Sequence, residues 1–118
     1  MKKIYVLSSC STCQRILKEI NPSSEFTIQD IKQENIDAET LDWIAKKVGS
    51  YEDLFSKRAM KYKALGLKDM NLSESDFRQY MLDEYTFLKR PFIINEEEVF
   101  IGNAKKEVAA ALASIANK

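Results

Sequence analysis

The sequence predicts an α/β fold: a four-stranded mixed sheet flanked by helices, with a helical insertion between its two halves. Three observations carry that prediction. Strand-like apolar runs occur only in the first thirty residues and again near residues 92–101, helical periodicity fills the stretch between them, and one more amphipathic helix follows the second pair of strands. The order is therefore βαβ, helices, ββα. With 118 residues, 45% hydrophobic and 31% charged, the chain has material for one core. The reading is a single domain over residues 1–118, its helical insert at approximately 37–88.

Each element has its own signal. Ile4-Tyr5-Val6-Leu7 is apolar on both faces, as a strand covered on both sides of a sheet must be. Ser8-Ser9 makes a polar turn, and a helix begins near Cys10 with the stripe Cys13, Ile16, Leu17 and Ile20. Asn21-Pro22-Ser23-Ser24 stops it. The run from Glu25 to Asp30 alternates and predicts a half-exposed edge strand, parallel to the first because a right-handed crossover joins them. Leu41, Ile44, Ala45 and Val48 define the next helix, which Gly49 ends. Ser50 with Asp53 suits the cap of a short helix, Ala59–Leu65 forms another that Gly66 ends, and Ser73-Glu74-Ser75-Asp76 opens a third carrying Phe77, Tyr80 and Met81. Phe92-Ile93-Ile94 and Val99-Phe100-Ile101 flank Asn95-Glu96-Glu97-Glu98 as a hairpin. After a turn at Gly102-Asn103, Val108, Ala111, Leu112 and Ile115 mark the last helix. This is the thioredoxin-like arrangement with a helical insert.

Composition excludes several functions. Lysine plus arginine equals aspartate plus glutamate, 18 each, so there is no electrostatic case for direct nucleic-acid binding. No apolar run approaches the roughly 20 residues that span a bilayer, and Ile4–Leu7 is too short for a signal-peptide core. The expected location is the cytoplasm, with no membrane partner. In that compartment a close cysteine pair is more often redox-active or metal-binding than a structural staple. The chain has no histidine, which removes Ser–His and Cys–His pairs and mixed Cys/His zinc sites. No metal is expected within one chain; two cysteines could complete a zinc site only if it were shared between subunits.

Cys10-Ser11-Thr12-Cys13 sits at the strand-to-helix junction. The first turn of a helix offers unpaired N–H groups and the positive end of the dipole, and both favour a thiolate at Cys10. Residues three apart on a helix share a face and lie within disulfide reach. Cys10 is thus the candidate nucleophile. Cys13, one turn in and on the apolar stripe, resolves the adduct or serves as a small buried hydrophobe.

Two further segments extend the pattern: Tyr62-Lys63-Ala64-Leu65-Gly66-Leu67 preceded by Lys57-Arg58, and Leu88-Lys89-Arg90-Pro91-Phe92-Ile93-Ile94 followed by Val99-Phe100-Ile101-Gly102. With the cysteine turn, in this order and spacing, the sequence resembles the arsenate reductase (ArsC)/Spx family of thioredoxin-like proteins essentially from end to end. The resemblance implies a thiol–disulfide oxidoreductase in which Cys10 attacks an oxyanion or a disulfide and Cys13 resolves. It implies a cis bond between Arg90 and Pro91, in a loop against the reactive cysteine. Arg90 acts catalytically, and Arg58, Ser11, Thr12 and Pro91 bind substrate. It further implies no bound cofactor, with glutathione, glutaredoxin or thioredoxin as electron donor. The reductases carry three arginines around the oxyanion; here Ser56 and Asn103 occupy the places of the first and third, and Val6 that of a histidine before the cysteine turn. Arg58 and the CxxC match the less characterised reductase-like members and the Spx branch alike, and the latter implies the alternative of a redox-switched regulator that binds RNA polymerase, through its α subunit, rather than DNA alone.

Overall fold

The structure, a computed structural model, describes residues 1–116. Strands β1 (Lys2–Val6), β2 (Thr27–Asp30), β3 (Phe92–Asn95) and β4 (Glu98–Ile101) form one sheet in the order β2-β1-β3-β4. β1 runs parallel to β2, with Ile4 opposite Ile28, while β3 is antiparallel to both β1 and β4. This is the mixed thioredoxin-like sheet that the element order predicts. The chain divides into two compact units, a sheet unit of residues 1–34 and from Arg90 onward, and a helical unit of Asn35–Lys89.

In the sheet unit, helices α1 (Ser11–Ile20) and α5 (Lys105–Ala116) pack together over one apolar layer. Ile4, Val6 and Ile93 from the central strands meet Cys13, Ile16 and Ile20 of α1, Val108 and Ala111 of α5, and Phe26. Alternation sends Tyr5, Phe92 and Ile94 to the other face, where they are also buried. That double burial is why β1 and β3 read as continuous apolar runs, and edge strand β2 does not.

Some boundaries differ from the sequence reading. Leu7 lies beyond β1, and Glu25 and Phe26 form a turn that places the Phe26 ring in the core, so β2 begins only at Thr27. Asn95 pairs with Glu98 and leaves a two-residue loop, with Glu96 in the left-handed region at φ 58°. In α5, Ser114 faces inward and Leu112 is exposed. The Ser114 hydroxyl accepts from buried Asn95 Nδ2 (2.9 Å) and donates to Glu98 Oε1 (2.7 Å). A buried amide needs such a partner, and leucine cannot supply one.

In the helical unit, α2 (Ala38–Val48) starts at Asp37, whose carboxylate accepts from the Thr40 N–H at 2.9 Å. It ends at Gly49, which adopts φ 116° and donates to the Ala45 carbonyl. Val48, placed on the apolar stripe by spacing, is exposed in the last turn. A 3₁₀ turn at Glu52–Leu54 leads to α3 (Met60–Ala64), and a second at Leu67–Asp69 leads to α4 (Glu74–Asp83). Ser73 and Asp76 close a full capping box at the start of α4. A third 3₁₀ turn follows at Tyr85–Phe87.

At five residues α3 buries no side chain of its own, so neighbouring segments must hold this part together. Phe55 is the hub: its ring stacks on Phe87 at 4.9 Å and meets Phe77 and Tyr62 edge-on. A single antiparallel bridge joins Phe55 to Leu88, flanked by hydrogen bonds from the Ser56 N–H to the Phe87 carbonyl (2.7 Å) and from the Lys89 N–H to the Leu54 carbonyl (2.9 Å).

Candidate functional site

The site begins where β1 ends. The chain turns over Leu7–Cys10, with the Cys10 N–H donating to the Leu7 carbonyl at 2.9 Å, and Cys10 becomes the N-cap of α1. Its carbonyl accepts the Gln14 N–H, the first bond of the helix. Its sulfur therefore sits at the positive end of a ten-residue helix, beside amides that have no partner within it. The sulfur closes no geometric capping hydrogen bond, so those amides act on it as nearby dipoles. Cys10 is half-buried and Cys13, one turn on, is 1% exposed in the core; both are free thiols.

The two sulfurs are driven apart electrostatically. Burial alone would push the Cys10 thiol up, but the Cys13 and Thr12 amides, the Cys13 thiol and the Arg90 guanidinium outweigh it and hold Cys10 below the ordinary thiol value. Burial dominates at Cys13, and the neighbouring Cys10 adds to it. The Leu7 backbone and Arg90 work in the other direction, and Cys13 is pushed up to about 11. The thiolate is thus favoured at Cys10 and disfavoured at Cys13.

Arg90 immediately precedes β3 and is joined to Pro91 by a cis peptide bond, the geometry that the family resemblance implies. Pro91 is buried and its carbonyl accepts the Gly102 N–H at 2.9 Å. The Arg90 charge acts on both cysteines, and its Nη1 is buried without a hydrogen-bond partner. A buried guanidinium N–H left unpaired is costly, and an anion beside it would satisfy it. Ser11 is exposed and Thr12 half-buried on the first turn of α1. The sheet unit thus brings together Cys10, Ser11, Thr12, Cys13, Arg90 and Pro91.

Arg58 belongs to the helical unit and is exposed, as is Asn103 in the sheet unit, while Ser56 is half-buried and committed to Phe87 through its N–H. Among the described residues, no group of three or more histidine, cysteine, aspartate and glutamate side chains could hold a metal ion. No described helix is long and apolar enough to cross a membrane.

Two residues that the sequence reading passed over brace the turn. Gln14 Nε2 donates to the Ser8 carbonyl at 2.6 Å, and Asp30 Oδ1 accepts the N–H groups of Ser8 (3.4 Å) and Lys32 (3.1 Å). Although desolvation opposes it, hydrogen bonding from Lys32 and Ser8 lowers the Asp30 carboxyl below its usual range. A polar side chain four residues past a helix cap was the available sign for Gln14. Asp30 had none, because its role depends on β2 lying beside β1.

Residues 5–111 match the ArsC family over nearly the whole chain. None of the curated proteins matches the sequence closely enough to count as a relative. Solved structures match in fold. A YFFB protein is 22% identical with a TM-score of 0.78, covering 95% of this chain and 99% of that one. An arsenate reductase from Vibrio cholerae is 20% identical with a TM-score of 0.74, over 93% and 96% of the two chains. An arsenate reductase (ArsC) related protein from Brucella melitensis is 25% identical with a TM-score of 0.69, over 92% of each.

Proposed function

This chain belongs to the ArsC family, and from that premise we propose that it is a cytoplasmic thiol–disulfide oxidoreductase of arsenate-reductase type. The observation that carries the reading is the opposed pair of sulfurs, Cys10 lowered at a helix N-terminus and Cys13 raised one turn behind it, with the charge of Arg90, whose Nη1 is buried and unpartnered, bearing on both.

The chemistry follows from those groups. The Cys10 thiolate attacks the arsenic of arsenate and displaces hydroxide, which a proton converts to water, leaving a Cys10–arsenic(V) thioester-like adduct. Arg90 and the first-turn amides, those of Ser11 and Thr12 among them, stabilise the oxyanion. A second thiolate then attacks the Cys10 sulfur. A sulfur–sulfur bond forms, the sulfur–arsenic bond breaks, and its electron pair reduces arsenic to arsenite. Forming the adduct removes the Cys10 negative charge, one of the causes that raises Cys13, while the lowering influence of Arg90 persists. Burial, the larger cause, still holds Cys13 up, so its thiolate becomes less disfavoured once Cys10 has reacted. Glutathione, with glutaredoxin or thioredoxin, would restore the dithiol. From the family resemblance we also assign Arg58 and Pro91 to substrate binding.

The test is arsenate turnover with glutathione and glutaredoxin, or with thioredoxin, in the wild type and in Cys10→Ser. Arsenite production that vanishes in the variant supports the reading; equal rates in the two overturn it. Mass spectrometry after arsenate treatment should find Cys10 modified or a Cys10–Cys13 disulfide.

The same cysteine pair favours one other reading, a redox-switched regulator of Spx type. Binding of the RNA polymerase α subunit that depends on the oxidation state of the pair, without arsenate turnover, would select it.

A further inference from the structure

We propose that the segment around α3 is a docking surface for an acidic polypeptide stretch that carries an apolar side chain among its carboxylates. This inference is independent of the reaction assigned to Cys10. From Leu54 to Lys68 the sequence holds five cations, Lys57, Arg58, Lys61, Lys63 and Lys68, and no carboxylate, although the whole chain is neutral. Two of the five are already committed: Lys57 pairs with Glu52 at 2.6 Å and Lys61 pairs with Glu84. Of the other three, Arg58 is assigned above to substrate, while Lys63 and Lys68 enter no ion pair among the described residues, so two positive charges remain for an outside partner.

The apolar component is concentrated in the same place. Large apolar side chains left exposed elsewhere are scattered singly, but Met60, Leu65 and Met70 fall within eleven residues of one another, 88%, 56% and 53% exposed. Met60 also lines an open depression of about 630 Å³, together with Lys57, Arg58, Ala59, Lys63 and Ala64. An exposed apolar concentration of this kind marks an interaction surface, and methionine adapts its shape to a partner. The cations at the rim select a partner of opposite sign and steer its approach. The apolar floor favours a polypeptide over a nucleic-acid backbone, which would need the basic excess this chain lacks.

Selection from a random-peptide display on the immobilised full chain tests this without presupposing a partner, followed by affinity measurement of the enriched peptides in solution. The expected winners place aspartate or glutamate around a leucine, methionine or aromatic residue. Their binding weakens as salt rises and falls about tenfold or more in Met60→Ser/Lys63→Glu. The rate of Cys10 alkylation should not change in that variant. If its melting temperature collapses, Lys63→Ala alone, a good helix former, must still weaken binding and flatten the salt dependence. The proposal is overturned by winners with no acidic bias, by acidic peptides that bind the variants as well as the wild type, or by no enrichment at all. Binding of a single-stranded oligothymidylate as tight as that of the best peptide would also overturn it, in favour of nucleic acid. Unchanged alkylation with failed docking would leave the Cys10 chemistry standing, and the reverse result would leave the docking surface standing.

Discussion

In the sheet unit, aliphatic side chains from two central strands and two helices fill one layer, and the two free cysteines lie where β1 gives way to α1. In the helical unit, short helices and 3₁₀ turns surround an aromatic hub at Phe55 and are stitched by side chain-to-backbone bonds and a one-residue bridge. The first unit derives its order from long-range strand pairing, so its site can depend on fixed backbone dipoles. The second derives its order from a few large side chains, and leaves α3 with no buried residue. Rigid backbone is where a thiol can be tuned; lightly anchored helix is where a partner can be met.

That contrast can be broken at its strongest point first. Phe55→Ala removes the hub and should destabilise the protein by about 3–5 kcal/mol, read as a shift in the urea midpoint. A loss below about 1 kcal/mol would show that the bridge and caps hold the helical unit without the rings.

The next test addresses the dipole-tuned thiol. Alkylation needs the thiolate, so the rate at Cys10 should fall with pH only below the ordinary thiol value, whereas Cys13 gains reactivity only toward about 11. Arg90→Ala removes a cause that lowers Cys10, so the midpoint of the Cys10 profile should move to higher pH. A midpoint that stays put would assign the tuning to the helix end and the Cys13 thiol.

A smaller effect is expected at the head of α4, where Ser73→Ala opens the capping box and should cost about 1 kcal/mol in a denaturation curve. The smallest belongs to Leu112, exposed on α5 despite its place in the apolar pattern. Leu112→Ala should lie within about 0.5 kcal/mol of wild type, whereas Ser114→Ala should cost more, because it leaves buried Asn95 without its acceptor.

Much of this was legible from local chemistry. Ile4–Val6 and Phe92–Ile94 declared central strands because burial on both faces demands uninterrupted apolar residues. Asn21, Gly49 and Gly66 marked stops because the chain there enters the left-handed region. Cys10 stood out because a strand joined to a helix by a short turn sets the residue that opens the helix at the dipole. Phe26 deceived the alternation pattern, since a ring can fill a core from a turn as well as from a strand. Leu112 deceived the helical pattern for a related reason. Leu112 and Ser114 both lie near the edge of the apolar stripe, and only the position of Asn95 on β3 decided which would turn inward.

The sequence alone therefore determined the order of elements, the mixed sheet and the position of Cys10, all of which follow from periodicity and end effects within a few residues. Only the tertiary structure decided that Cys10 and Cys13 move in opposite directions, that Arg90 bears on both with one N–H unpaired, and that Gln14 and Asp30 brace the turn. Those properties depend on desolvation and on charges brought near from distant parts of the chain. Both exist only once β2 and β3 have paired on either side of β1.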